Sequence, residues 1–460
     1  MQLNRRRLLG GIGAGVAVGL LGAPASAAET DTDRERVFVH PRTGLLDDLG
    51  ELVDVIEAVG GTPVLEYDNF EFVVAEVPAD ARTDLLDDRR VASVEEDEET
   101  GIPSDWSPSL PNILDPPDNS DCSTHPDQRP SWGLERIGAD DVEPDGSDVD
   151  VGILDTGIES EHCSLSVAGG RNFTGDGMSD DYEDRHGHGT HVAGVAGASD
   201  NDVGVVGVAP GANLYAVKVL GDDGSGRYSE LIAGIDWCMS NDVELISMSL
   251  GGESESSTVD EAIDAAHSAG HLLLCAAGNE GNDGDGSCEA ETMTYPATHD
   301  DVVAVTAMDE DDTLASYSSV GSAIDLLAPG TAVTSTIVGN EYAEASGTSI
   351  ACPFVTGVAA LVWGTREEEG PGPNEPVGEI LAETAAEVLG TCEEGDGLVD
   401  ARAAVGDDRS TDGGDRGGNR GDESAVGGAA GSLLERVASA FEQVVDLVAG
   451  VFERLRGLFR

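Results

Sequence analysis

The chain has 460 residues, 90 of them Asp or Glu against 24 Lys or Arg, for a formal net charge of -66 at pH 7. That balance excludes nucleic acid as a natural partner, and the length excludes a single small core. Hydrophobic residues still make up 39%, and the acids run along the whole chain, so the composition is that of a folded, acid-coated protein. Self-repulsion on such a surface is tolerable where salt is molar and the screening length falls to about 3 Å, so the charge predicts a host that lives in high salt.

At the N-terminus, Asn4-Arg5-Arg6-Arg7-Leu8-Leu9, an apolar run over residues 10–23 and then Ala25-Ser26-Ala27 read as a twin-arginine export signal spanning residues 1–28. The run is short, rich in Gly and Ala, and ends at a cleavable sequence, which argues against a membrane anchor. Residues 31–100 then alternate: a strand at 37–39, helical apolar spacing over 45–59, two strands within 63–77, a helix that Asp80 can cap, and a last strand at 91–95. The order β-α-β-β-α-β predicts a small α+β domain of the ferredoxin-like, split βαβ kind. Residues 101–127 are rich in Pro, Asp and Ser, have no period, and read as a linker.

The main domain is expected over residues 128–405. Apolar runs at 149–154, 214–219, 243–247, 272–276 and 302–306 alternate with helix-like stretches such as 228–239 and 257–269. Such alternation predicts an α/β fold, a doubly wound, mostly parallel sheet with helices on both faces. Residues 406–431 form a second, Gly- and Asp-rich linker. Beyond it Leu434, Val437, Phe441, Val444, Val448, Val451, Leu455 and Leu458 recur at helical spacing, an amphipathic helix suited to envelope attachment or self-association.

Three short segments place reactive side chains where a strand ends or a helix begins. Val151-Gly152-Ile153-Leu154-Asp155 is a buried strand that delivers a carboxylate to its C-terminal edge. His186-Gly187-His188-Gly189-Thr190-His191 gathers three of the nine histidines, a base near neutrality; as a Gly-rich turn its alternate residues diverge, which argues against a metal cluster. Ser346-Gly347-Thr348-Ser349 runs into an apolar helix at 354–362, so the Ser349 hydroxyl lies near backbone amides and the positive end of the helix, although a helix start prefers these residues for capping alone.

Together, Asp-Thr-Gly at 155–157, His-Gly-Thr-His-Val-Ala-Gly at 188–194 and Gly-Thr-Ser-Ile-Ala at 347–351 resemble the subtilisin-like serine proteases, including the halolysin-type enzymes of salt-loving archaea. Their chain order, Asp then His then Ser, is that of subtilisin. The resemblance implies a triad of Asp155, His188 and Ser349, with His186 and His191 in support, and Asn279 as a side-chain oxyanion donor. It implies substrate clamps at Gly224-Ser225-Gly226 with Tyr228 and at Ser249-Leu250-Gly251, which an extended substrate joins as an added strand. It also implies a structural Ca²⁺ site built from Gln128, Asn201 and the carbonyls of Ser199, Val203 and Val205. Ser164 stands where the family places an Asp ligand, so one charge is missing there.

On the same resemblance residues 31–100 are a propeptide that helps folding and then inhibits, and the product is a secreted endopeptidase that acts on proteins or peptides after self-processing. Two other readings are an inactive relative that only binds peptides and a non-peptidase serine hydrolase, whose Gly-x-Ser-x-Gly elbow and Ser-first order this chain lacks. Beside the nucleophile, Ile350, Cys352 and Phe354 depart from the family pattern. Seven cysteines are an odd number for an exported chain; Cys238, Cys275 and Cys352 look buried, and pairing among Cys122, Cys163, Cys288 and Cys392 is left open.

Overall fold

The computed structural model describes residues 34–45, 48–102, 106–109, 122, 126–281, 291–366, 374–390 and 392–407. The expected export signal and the C-terminal stretch expected to be an amphipathic helix lie outside the described residues.

The N-terminal domain is built from β1 (Arg34–Pro41), α1 (Leu49–Ala58), β2 (Thr62–Glu66), β3 (Val73–Pro78), α2 (Ala81–Asp87) and β4 (Val91–Glu96). Its strands run in the order β2-β3-β1-β4, all antiparallel, the split βαβ arrangement expected. One face of this sheet packs on the two helices, with Val37, Val39, Leu52, Ile56, Val73 and Leu85 at its centre. The other turns Phe38, Phe72 and Val74 towards the main domain. Asp80 precedes α2 as expected, but its side chain caps no amide, because its backbone is already helical there.

A short strand β5 (Glu99–Gly101) follows, then α3 (Trp132–Arg136), which Ser131 caps by accepting from the Leu134 N–H. The main sheet comprises β6 (Asp150–Asp155), β7 (Val167–Asn172), β8 (Asn213–Lys218), β10 (Leu245–Met248), β11 (Leu272–Ala276), β12 (Val302–Met308) and β13 (Leu326–Pro329). Its seven strands lie in the order β13-β12-β11-β10-β6-β8-β7, every pair parallel. A sheet covered on both faces reads as continuous apolar runs, which is why its central strands are legible in sequence.

Helices α4 (His188–Gly197) and α7 (Thr348–Gly364) cover one face, and α5 (Tyr228–Ser240) and α6 (Ser257–Ala269) the other. The strand β9 (Ser225–Arg227) leads into α5, and the hairpin β14 (Val333–Ile337) and β15 (Glu341–Ala345) leads into α7. α8 (Asn374–Thr384) and α9 (Ala401–Ala404) pack on α7. Among the described residues no helix is long and apolar enough to cross a membrane.

The two domains meet where carboxylates of the N-terminal domain cap helices of the main one. Asp97 accepts from the Ser229 N–H (2.9 Å) and hydroxyl (2.7 Å) at the start of α5, and pairs with Arg36 at 2.9 Å. Glu95 accepts from the Ser257 and Thr258 hydroxyls at the start of α6. Negative charge at a helix N-terminus is favourable, so part of the acidic stretch at 95–99 is docked.

Candidate functional site

Asp155 is the last residue of β6 and stands at the carboxyl edge of the sheet. It is buried; its Oδ1 accepts the Thr156 N–H at 2.7 Å, and His188 Nδ1 lies 2.8 and 2.9 Å from the two carboxylate oxygens. A carboxylate only accepts, so Nδ1 carries the hydrogen and Nε2 presents its lone pair. That Nε2 is buried and has no partner among the described residues.

The segment around His188 is not the loose turn expected from its glycines. His188 opens α4, and Val192, Ala193, Val195 and Ala196 bury it in the core. The glycines serve packing: a Cβ on Gly189 would meet the Gly157 carbonyl at 2.2 Å, and one on Gly194 would meet Thr336 Oγ1 at the same distance. His191 is buried, its Nε2 3.1 Å from the Ala343 carbonyl, and burial lowers its pKa to about 3, so it is a neutral structural ring. His186 is half-buried and its pKa is also lowered, chiefly by burial.

One residue that the motifs did not mark holds this turn. Asp184 Oδ1 accepts the Thr156 hydroxyl and the His186 and Gly187 amides, each at 2.9 Å, and Oδ2 accepts the Thr190 amide and hydroxyl at 2.9 and 2.7 Å. In a chain with 90 acids nothing in sequence distinguishes it except its place four residues before His188.

Ser349 lies in the first turn of α7, which begins six residues earlier than the apolar stretch suggests and contains Pro353. Proline has no N–H, so the carbonyl four residues back, that of Ser349, lacks its helical donor; the Ser249 hydroxyl donates to it at 2.8 Å. Asn279 follows β11, and its Oδ1 accepts from the Thr348 N–H and hydroxyl at 2.9 and 3.0 Å. That fixes the amide orientation and leaves Nδ2 on the other side. A Cβ built on Gly347 would lie 2.9 Å from Ser349 Oγ, 3.3 Å from Asn279 Nδ2 and 3.7 Å from the Ser349 amide nitrogen. The absent side chain thus leaves a small hollow bounded by a hydroxyl and two N–H donors.

The two segments expected as clamps are paired with the chain itself. β5 pairs antiparallel with β9, Thr100 opposite Gly226 and Gly101 opposite Ser225. Gly101 exchanges both backbone hydrogen bonds with Gly251 at 3.0 Å, and the Ile102 N–H donates to the Gly224 carbonyl at 3.0 Å. Glu99–Gly101 therefore lies as an added strand between the two expected clamp segments, so Gly101, expected to open the linker, is in a strand. Leu250 and Ser249 are buried and contribute backbone and packing. Tyr228 was expected to face substrate, but it is fully buried: its hydroxyl donates to the Ser254 carbonyl at 2.6 Å and its ring packs edge-on against Tyr295, because it opens α5 pointing into the core. Trp106, unmarked in a Pro-rich stretch, sets its ring 4.6 Å from that of His188, edge to face.

The expected calcium ligands do come together, but as a cage for a divalent cation they do not fit. Gln128 Nε2 donates to the Ser199 and Val205 carbonyls at 2.7 and 3.1 Å, and Ser164 Oγ donates to the Val203 carbonyl at 3.0 Å. Asn201 Oδ1 accepts the Val203 N–H at 3.1 Å. The set contains no carboxylate, and hard cations favour several. A second cluster, Asp264, His299 and Asp301, is mixed in ligand type. There the Asp301 N–H donates to His299 Nδ1 at 3.1 Å, so in the neutral ring Nε2 bears the hydrogen and faces Asp264 and Asp260 as a donor at 3.5 and 3.7 Å. That arrangement turns an N–H, not a lone pair, towards the carboxylates.

Of the cysteines, Cys122 and Cys163 form a disulfide, and Cys238, Cys275 and Cys352 are free and buried, as their apolar surroundings suggest. Burial pushes the Cys352 thiol up to about 11, consistent with a packing role beside the nucleophile. Cys288 lies outside the described residues, as does the side chain of Cys392.

A doubly wound parallel sheet carrying a buried Asp–His pair and a serine at a helix start defines an α/β serine hydrolase. Comparison with known proteins narrows this. The chain matches the subtilase family over residues 146–421. It is 35% identical to subtilisin NAT of Bacillus subtilis subsp. natto over 382 residues, 82% of this chain and 92% of that protein. It is 42% identical to subtilisin DY of Bacillus licheniformis over 277 residues, 59% of this chain and 97% of the relative. It is also 42% identical to a thermostable alkaline protease of Halalkalibacterium halodurans over 276 residues, 59% of this chain and 73% of that protein. The chain belongs to the subtilase family, and it is a serine endopeptidase.

Proposed function

We propose that Ser349, His188 and Asp155 carry out peptide-bond hydrolysis through an acyl-enzyme, with Asn279 and the Ser349 amide as oxyanion donors. Ser349 Oγ attacks the peptide carbonyl while His188 Nε2 takes its proton; Asp155 holds the ring in the Nδ1–H form and stabilises the cation. The carbonyl oxygen, now negative, enters the hollow beside Gly347 between Asn279 Nδ2 and the Ser349 N–H. His188 then protonates the leaving amine, and water repeats the sequence on the ester. The hollow is the observation that carries the reading: the hydroxyl and both donors meet at one point that any side chain at residue 347 would fill. Casein hydrolysis in high salt tests it. Wild type should be active and lose activity to a serine-directed inhibitor; a Ser349→Ala protein that hydrolyses casein at the wild-type rate refutes it.

The same reading makes the N-terminal domain an inhibitory propeptide removed by self-cleavage. Support comes from Glu99–Gly101 and Ile102 pairing with the two segments expected as clamps, and from Trp106 lying edge-on to His188. On this reading the cut is expected between Ile102 and Trp106. Purified wild-type precursor should yield a new N-terminus within residues 103–106, and Ser349→Ala should keep its full length. Export by the twin-arginine route and adaptation to high salt complete the proposal, resting on Arg5-Arg6-Arg7 and on the charge of -66. Replacing that arginine run by lysines should hold the protein in the cell, and the unfolding temperature should rise steeply with KCl.

A further inference from the structure

The loop of residues 199–205 is shaped like a cation cage, yet each of its expected ligand atoms already has a protein donor. The Ser199 and Val205 carbonyls take the two hydrogens of the Gln128 amide, and the Val203 carbonyl takes the Ser164 hydroxyl, which also lies 2.8 Å from the Tyr342 hydroxyl. Asn201 Oδ1 takes the Val203 N–H while its Nδ2 donates to the Cys163 carbonyl at 2.8 Å. Gln128 Oε1 accepts from the Asp202 N–H at 3.2 Å, and this contact assigns the amide: its oxygen faces Asp202, so its NH2 faces the carbonyls.

The segments that meet here are tied covalently. Cys163, next to Ser164, is bonded to Cys122, six residues before Gln128. Backbone pairing fills the gap between them, the Gly204 N–H donating to Pro126 and the Arg129 N–H to Gly204 at 2.8 and 2.9 Å. Asp200 and Asp202 are exposed.

We infer that this loop is closed without a divalent cation: the Gln128 amide bridges the carbonyls that a metal would bridge, and the Cys122–Cys163 disulfide tethers the Gln128 segment that a metal would otherwise recruit. Ser164 fits the same logic, since a hydroxyl can donate to the Val203 carbonyl where a carboxylate can only accept. The inference goes beyond the catalytic reading and is independent of it, because it is tested on the inactive protein.

The experiment uses full-length Ser349→Ala at constant KCl and follows thermal unfolding in EGTA and in millimolar CaCl2, with calcium uptake by titration calorimetry. Unfolding temperatures in EGTA and CaCl2 should agree within about 1 °C, with no calcium taken up at this loop. Cys122→Ser with Cys163→Ser should lower the unfolding temperature by about 5–10 °C in both buffers. Gln128→Glu replaces the donating amide by oxygens alone; it should lose stability in EGTA and recover it in CaCl2. The inference is overturned if EGTA destabilises the Gln128 protein, if one calcium binds and Gln128→Ala abolishes it, or if Gln128→Glu is as stable as its parent in EGTA.

Discussion

The carboxyl edge of the sheet and the loop of residues 199–205 use the same materials, polar atoms at the ends of regular elements, in opposite ways. At the loop every candidate ligand atom is paired within the protein. At the sheet edge the pairing stops one bond short: His188 Nδ1 is satisfied by Asp155, while Nε2 has no partner among the described residues. Asn279 Oδ1 is likewise satisfied by Thr348 while Nδ2 borders the hollow beside Gly347. Leaving a buried group such as His188 Nε2 unpaired costs about 1–3 kcal/mol, a cost that a reacting atom can offset by supplying the missing partner.

Breaking the edge should have the largest effects. Ser349→Ala should lower kcat for a peptide substrate by about 10⁶-fold, the magnitude of the same loss in subtilisin, which corresponds to about 8 kcal/mol of barrier. Asn279→Ala should lower kcat by about 100–1000-fold with KM little changed, again as in subtilisins, since its donor acts on the oxyanion and not on bound substrate. An equal rise in KM would remove it from that role.

Asp184 sharpens the contrast from the fully paired side. Asp184→Ala strands the Thr190, His186 and Gly187 amides and should destabilise the inactive protein by about 4 kcal/mol in denaturant unfolding. A loss below about 1 kcal/mol would show that the turn holds itself.

The smallest expected effect is a pH dependence at the domain interface. Burial, partly offset by Arg36 at 3.5 Å, raises Glu230 from its ordinary 4.5 to about 7. The unfolded chain therefore ionises first as pH rises. The contribution of Glu230 to stability is whole below about pH 4.5 and is lost by about pH 7, up to about 3 kcal/mol at 1.4 kcal/mol per unit. Unfolding of Ser349→Ala precursor between pH 5 and 8 measures it, and Glu230→Gln should flatten the slope; parallel curves for the two proteins rule it out.

Periodicity made much of the fold legible. Residues 272–276 and 257–269 appear in the structure with the boundaries their apolar spacing suggests, because a strand buried on both faces and a helix with one apolar stripe leave distinct patterns. The edge strand Val167–Asn172, with two glycines and little apolar content, left none. The helix that opens at His188 is hidden for a related reason: glycine signals freedom in sequence, but in α4 it signals close approach.

By itself the amino-acid order determined the class of the sheet, the small antiparallel domain before it, and the identity of Asp155, His188, Ser349 and Asn279 as candidates, since each of these rests on local pattern or on motif. Tertiary structure decided what depends on partners far apart in the chain. It turned Tyr228 into core, gathered five bonds onto Asp184, paired residues 99–102 with residues 224–227 and Gly251, and filled a cation-shaped loop with an amide from 71 residues away. Hydrogen bonds act over about 3 Å of space whatever the separation along the chain, so which groups end up paired is settled only when the whole domain has closed.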